Sequence, residues 1–243
     1  AACTLCGDCV SGCNYGAKNT TIMNYLPDAY NHGAEIYTEI SVTRVAKAGD
    51  RWRVYYQPVS SGRDKFDAPE MFVFADIVVL AAGTLGSTEI LLRSKEAGLA
   101  LSAQLGKNFT GNGDVLAFGY NNDEEINGIG FGHHKVGDIP AVGPCITGVI
   151  DARRKPDLAD DMVIEEGSMP GALSSILPGF FSTTAKLFGE DSDDGFIDSV
   201  KEQARILDSV VRGPYHGAVN NTQTYLVMAH DGSDGEMLLK DDR

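Results

Sequence analysis

The chain lacks any apolar run near the roughly 18–20 residues that cross a bilayer as a helix. Its longest continuous apolar stretch, residues 77–82, is strand-sized. Basic residues are also scarce: 20 Lys and Arg against 34 Asp and Glu leave a net charge of −14. Such a surface repels a nucleic acid duplex or an anionic bilayer, which excludes nucleic acid as a partner. Charged residues make up 22% and hydrophobic residues 43%, which excludes a disordered chain. With 243 residues there is enough chain for one large core or two small ones. Cysteine is nearly missing beyond residue 13, where Cys145 stands alone. A disulfide scaffold spreads its cysteines, so the cluster near the start points to a metal site or a reducing compartment. The chain opens inside that cluster and stops on Asp241-Asp242-Arg243, so both ends read as cuts.

Helical spacing of Ile22, Met23, Leu26, Ala29 and Tyr30 predicts a helix over residues 17–31, with Pro27 as a kink and Gly33 as a stop. Extended runs over 35–40 and 42–48, the Gly49-Asp50 turn and the alternation around Trp52, Val54 and Tyr56 predict an antiparallel meander. A Ser60-Ser61-Gly62 turn then leads on to a strand at 71–74. Residues 76–82 differ in texture. They are continuously apolar after Asp76, rich in β-branched side chains, and end at Gly83. That pattern predicts a strand buried on both faces, as in a parallel sheet. A helix is expected over 87–97, strands over 116–120, 145–150, 162–166 and 225–229, and an amphipathic helix over 195–211. The amphipathic face of that last helix is Phe196, Val200, Ala204, Leu207 and Val211.

A glycine turn leading from a strand into a helix brings free backbone N–H groups and a positive dipole end close to a ligand. Ala82-Gly83-Thr84-Leu85-Gly86-Ser87 has that form. Many α/β proteins share it, so the segment alone does not define a ligand. The Gly-x-Gly-x-x-Gly fingerprint is absent, and Gly128-Ile129-Gly130-Phe131-Gly132 does not match its spacing.

Residues 78–93, Val78-Val79-Leu80-Ala81-Ala82-Gly83-Thr84-Leu85-Gly86-Ser87-Thr88-Glu89-Ile90-Leu91-Leu92-Arg93, resemble a segment of the bacterial cholesterol oxidases within the glucose–methanol–choline (GMC) flavin oxidoreductase superfamily. Gly111-Asn112-Gly113-Asp114-Val115 continues the likeness, and Ser41-Val42-Thr43-Arg44-Val45 resembles the strand whose backbone holds the adenine there. Gly148-Val149-Ile150-Asp151 and Met169-Pro170-Gly171 follow in similar order. The resemblance covers residues 17–172 and is specific over 76–115. It implies an α/β fold, α+β overall: part of a doubly wound FAD-binding domain over residues 1–114 and a mixed-sheet substrate domain over 115–243. It implies FAD, held by Val42, Gly83, Thr84, Gly86, Ser87, Asn112, Gly113 and Asp114. It also implies oxidation of a sterol or another hydrophobic alcohol, with flanking segments or a partner chain completing the flavin site.

Cys3-x2-Cys6-x2-Cys9-x3-Cys13 has the spacing of a bacterial ferredoxin run, although Asn14 replaces the usual proline. An iron–sulfur cluster, zinc, or free structural thiols all fit that spacing. The surrounding Cys-Gly-Asp-Cys and Gly12-Cys13-Asn14-Tyr15-Gly16-Ala17-Lys18 also resemble long-chain alcohol oxidases. An electron-transfer protein built on the cysteine loop is the competing reading.

Alcohol oxidation by a flavin needs a base for the hydroxyl proton. His133, His134, His216 and His230 are candidates by residue type. Glu165 and Glu166 follow the apolar run 162–164 and alternate, so one points inward, where apolar surroundings raise a carboxyl pKa. The resemblance assigns the catalytic role to Glu165, through the glutamate that precedes a similar Met-Pro, and with it an isomerisation step. The apolar residues of 169–188 are candidates for a substrate pocket or for core.

Overall fold

The computed structural model describes residues 1–59, 69–190 and 195–240. The expected turn at 60–62 lies outside them. Helices and sheets are mixed, and the chain divides into two compact units. One comprises Asn24–Gly111 with Gly232–Arg243, the other Ala1–Met23 with Asn112–Asp231.

In the first unit, α1 (Tyr25–Asn31) precedes a three-stranded antiparallel meander of β1 (Ile40–Ala48), β2 (Arg51–Pro58) and β3 (Met71–Ala75). Gly49, in the left-handed region at φ +65°, lets β1 turn into β2 in two residues. The register shifts between Val42 and Arg44, a bulge at Thr43. Helix α2 (Gly83–Glu96) packs on β1 through Val45 and Ile90, both buried. Ser94 fastens the two: its Oγ accepts the Val45 N–H at 2.8 Å and donates to the Ile90 carbonyl at 2.6 Å. A short pair, β4 (Lys107–Phe109) with β9 (Gly235–Glu236), completes this unit.

Residues 77–82 depart from expectation. They make no strand, and Ile77 and Val79 are each 82% exposed. A strand of a parallel sheet is buried only when neighbours flank it, and none does so among the described residues. The expected helix over 17–31 is likewise cut back to α1 behind a 3-10 turn at Thr21–Met23, and 35–39 form no strand.

The second unit is built on a four-stranded antiparallel sheet in the order β5-β8-β7-β6. Its strands are β5 (Val115–Gly119), β6 (Val149–Asp151), β7 (Met162–Gly167) and β8 (Gln223–Ala229). Helices α3 (Leu177–Phe188), α4 (Phe196–Arg212) and α5 (Gly217–Asn220) complete it. Ile129, Met169, Leu177, Phe181 and Val219 form the core. Phe181 sits at its centre, edge-on to Phe118 at 5.0 Å and stacked on Tyr120 at 5.4 Å. Such aromatic pairs add about 1 kcal/mol each beyond area burial.

Helix α4 is amphipathic, but its apolar stripe faces outward. Val200, Leu207 and Val211 are exposed, while Ser209 is buried. Polar bonds hold the other face inward. The Arg205 guanidinium donates to the Asn121 side chain at 2.7 Å, to the Asn121 carbonyl at 3.0 Å and to Asp123 at 2.9 Å. Ser209 Oγ donates to the His216 carbonyl and accepts the Val219 N–H. No helix among the described residues is long and apolar enough to cross a membrane.

Candidate functional site

A cavity of about 470 Å³ in the first unit lies beside the β1 bulge, residues 78–82 and the start of α2. Ser41, Val42 and Thr43 line it from β1, Val78 to Ala82 from the segment before α2, and Gly86, Glu89 and Ile90 from α2. Val42 and Gly86, far apart in sequence, thus line one cavity. Two features open the backbone here. Gly83 begins α2 at φ +72°, and a Cβ added there meets nothing within 4 Å. No side chain caps the helix start at Ala82, and Ser87 Oγ instead accepts the Ala82 N–H at 3.0 Å. The first-turn N–H groups of α2 have no intrahelical acceptor and keep the positive end of the helix dipole. Glu89 is tied to Arg93 at 2.7 Å. Uncapped amides, glycine at the bend and a cleft beside them suit the nucleotide part of a dinucleotide cofactor such as FAD.

Asn112, Gly113 and Asp114 belong to the second unit. Asn112 and Gly113 both have positive φ, +63° and +55°. The Asn112 carbonyl accepts the Ala229 N–H at 3.1 Å, and its side-chain amide donates to Asp114 at 3.1 Å. A side chain at position 113 collides with the Ala229 carbonyl, so the tight turn onto the end of β8 requires glycine.

Glu165 lies on β7, opposite Val149 on one side and Leu226 on the other. Its neighbour Glu166 is committed to structure. One oxygen accepts from the Thr147 N–H at 2.7 Å, the Thr147 hydroxyl at 2.6 Å and the Gly148 N–H at 2.9 Å. Burial pushes this carboxyl up, but the hydrogen bonds outweigh it and the net pKa is lowered. The expected alternation therefore separates the two glutamates: Glu166 is a fixed anion, and Glu165 is free of that duty.

His133, His134 and His216 line a second cavity, of about 810 Å³, with Tyr215, Asp208 and Arg212. The His133 and His134 rings lie 4.3 Å apart, and His134 meets Tyr215 edge-on at 4.7 Å. His230 lies outside this group, exposed beyond the end of β8.

The spacing of the cysteine run left an iron–sulfur cluster, zinc or free thiols open. Among the described residues no three His, Cys, Asp or Glu side chains are grouped to hold a metal. The thiols go to separate partners. Cys3 Sγ accepts the Leu5 N–H at 3.4 Å. The backbone N–H of Lys18, followed by those of Ala17, Tyr15 and Gly16, draws the Cys13 pKa below its ordinary value. The Cys145 N–H pulls the Cys9 thiol down, but burial, the Cys145 thiol and the nearby Cys6 outweigh it and the net direction is upward.

Spacing also gave no hint of what docks this loop. The Asp8 carboxylate accepts the Gly132 N–H at 2.9 Å and the Gly171 N–H at 2.7 Å. A side chain at Gly130 collides with that carboxylate. Gly130, in a run unmatched to a dinucleotide fingerprint, serves here to admit Asp8.

Residues 1–112 match the family model described as GMC oxidoreductase. That match covers somewhat less than half of the chain, and the N-terminal domain of that family is an FAD-binding domain. A cholesterol oxidase of Acinetobacter baumannii is 35% identical over 102 residues, 40% of this chain and 18% of that protein. A cholesterol oxidase of Mycobacterium tuberculosis (strain ATCC 25618 / H37Rv) is 35% identical over 113 residues, 43% of this chain and 18% of that protein. The chain therefore spans less than a fifth of the length of these curated relatives. No solved structure matches it.

Proposed function

We propose that the chain is part of an FAD-dependent oxidoreductase that converts the hydroxyl of a sterol or another hydrophobic alcohol to a carbonyl. The observation that carries this reading is the 470 Å³ cavity, where Val42 of β1 and Gly86 of α2 meet beside uncapped helix amides. Residues 1–114 then form part of the flavin domain and 115–243 part of the substrate domain. The Val42 backbone faces the adenine, the open amides at Gly83 and Thr84 face the nucleotide, and Gly86 and Ser87 let the helix backbone approach it. Asn112, Gly113 and Asp114 are proposed as further FAD-binding residues on the strength of their resemblance to the flavin-binding stretch of that family. FAD supplies hydride acceptance when bound. The chain's own residues orient the alcohol and take its proton.

The apolar outer residues of 171–188, with Leu173, Ile176, Phe180 and Leu187 exposed, supply surface for a greasy substrate. Glu165 is the proposed base for moving a proton next to the new ketone, which shifts a double bond. The reading is tested with purified protein loaded with FAD under anaerobic conditions. Addition of a sterol or a long-chain alcohol should bleach the flavin's visible band. A flavin spectrum indifferent to every hydrophobic alcohol contradicts the assignment. Replacing Glu165 with Gln should abolish isomerisation and leave oxidation intact, and an unchanged isomerisation rate refutes its role.

A further inference from the structure

The cavity of about 810 Å³ lies wholly within the second unit and is unused by the function proposed above. Its walls are braced. The Asn220 carbonyl, at the end of α5, accepts the N–H groups of Ile126 at 3.2 Å and Asn127 at 3.0 Å, which ties α5 to the stretch that carries Glu125. Gly217 begins α5 at φ +61°, and a Cβ there would collide with the Arg205 carbonyl of α4, so only glycine permits this approach. The Tyr215 hydroxyl donates to the Gly130 carbonyl at 2.9 Å and fixes the ring that His134 meets edge-on.

Hydrogen-bond counting shows what the cavity lacks. Among the described residues that line it, Arg212 is the one Lys or Arg, and its guanidinium is engaged. It donates to Asp208 at 3.2 Å and to His216 Nδ1 at 3.2 Å. A guanidinium only donates, so His216 Nδ1 is an acceptor and the ring is neutral, with its proton on Nε2. Two further lining carboxylates, Glu125 and Asp138, have no cation among the described residues. Glu125 Oε1 accepts the Asn220 amide at 3.0 Å, and Asp138 Oδ2 accepts the Lys135 N–H at 2.9 Å. The second oxygen of each accepts nothing from the described residues. Asn220 is 6% exposed, and its Oδ1 has no partner either. A carboxylate only accepts, so the amide nitrogen belongs on Glu125 and the empty position is the oxygen. A buried acceptor without a donor is rare in folded proteins.

The missing partner is therefore a hydrogen-bond donor with positive charge. An anion would meet two unpaired carboxylates and a guanidinium already engaged. A neutral polyol brings donors but leaves the carboxylate charge uncompensated. A quaternary ammonium brings charge but no N–H for Asn220. We propose that this cavity binds an aliphatic di- or polyamine, with ammonium groups on Glu125 and Asp138. Charge-assisted N–H···O bonds to the two free carboxylate oxygens hold it. An ammonium on Glu125 is adjacent to the Asn220 amide, which shares that carboxylate, and offers its Oδ1 a donor. The methylene stem runs along Ile139, Pro140 and Pro214, and the Tyr215 ring adds attraction for the cation. The volume falls in the range of small-molecule sites.

The test is isothermal titration calorimetry of the purified protein with putrescine at neutral pH and physiological salt, which screens loose association with the acidic surface. One saturable site is expected. Glu125→Gln and Asp138→Asn, both at exposed positions, should each weaken it by about tenfold or more, the loss of one charge-assisted bond. Asp50→Asn, in the β1–β2 turn of the other unit, should leave it unchanged. Tetramethylammonium and inositol should not compete. No saturable uptake of putrescine by the unaltered protein, an equal loss in Asp50→Asn, full affinity in Asp138→Asn, or displacement by inositol overturns the inference. Where Glu125→Gln fails to fold, the unaltered protein and Asp138→Asn decide the matter.

Discussion

Removal of the Asp8 carboxylate should undock the N-terminal loop. Its two oxygens accept the N–H groups of Gly132 and Gly171, at 2.9 and 2.7 Å. Hydrogen bonds to a charged acceptor contribute about 1.5–3 kcal/mol each, and an abandoned donor costs about 1–3 kcal/mol. The pair is partly solvated, so the lower end applies to each bond and Asp8→Ala should lose about 3 kcal/mol. In a chain of this length that lowers the melting midpoint by about 6–12 °C. Asp8→Asn keeps the shape but turns an amide nitrogen towards one N–H, and should lose about half as much. Thermal denaturation gives the magnitude, and amide hydrogen exchange gives the place: Gly132 and Gly171 should exchange faster while β7 and β8 keep their protection. A loss below about 0.5 kcal/mol, or protection unchanged at both glycines, refutes the reasoning.

Glu166→Gln should destabilise the protein by about 2 kcal/mol at neutral pH, since three donors meet at one carboxylate oxygen. Because the folded-state pKa of Glu166 is lowered, its contribution is full above the ordinary carboxylate range and fades as pH falls through that range. Denaturant melts of both proteins at pH 7 and at successively lower pH should therefore converge, and a constant gap contradicts the assignment. Ser94→Ala strands the Val45 N–H under α2 and should cost about 1–3 kcal/mol, read by the same melts. A neutral result there means that β1 and α2 are not joined through that hydroxyl.

Local signals made part of this structure legible. Alternation around Trp52, Val54 and Tyr56 with Gly49 between the runs located β1 and β2, and apolar runs located β7 and β8. Residues 77–82 misled for a physical reason. Continuous apolarity signals burial between neighbours, and the described chain supplies none. The 3.6-residue period of α4 located the helix but not its orientation, which Arg205 and Ser209 set through bonds to Asn121, Asp123, His216 and Val219. The cysteine run left its own reading open because spacing carries no information on long-range contacts. The docking of the loop rests on Asp8 meeting glycines from two other segments. Of the proposed flavin contacts, Val42 and Gly86 came together in one cavity, whereas Asn112 to Asp114 belong to the other unit.

The cavity beside Gly86 offers the most direct test. A Cβ at that position approaches only the Ala82 methyl, at 3.1 Å, so a Leu side chain there can extend over the cavity and fill it. Titration of purified protein with FAD, followed by quenching of flavin fluorescence, should show saturable binding. Gly86→Leu should weaken it at least 100-fold, about 2.7 kcal/mol, with the melting midpoint little changed. Equal FAD affinity in the two proteins, both folded, contradicts the placement of the nucleotide in this cleft.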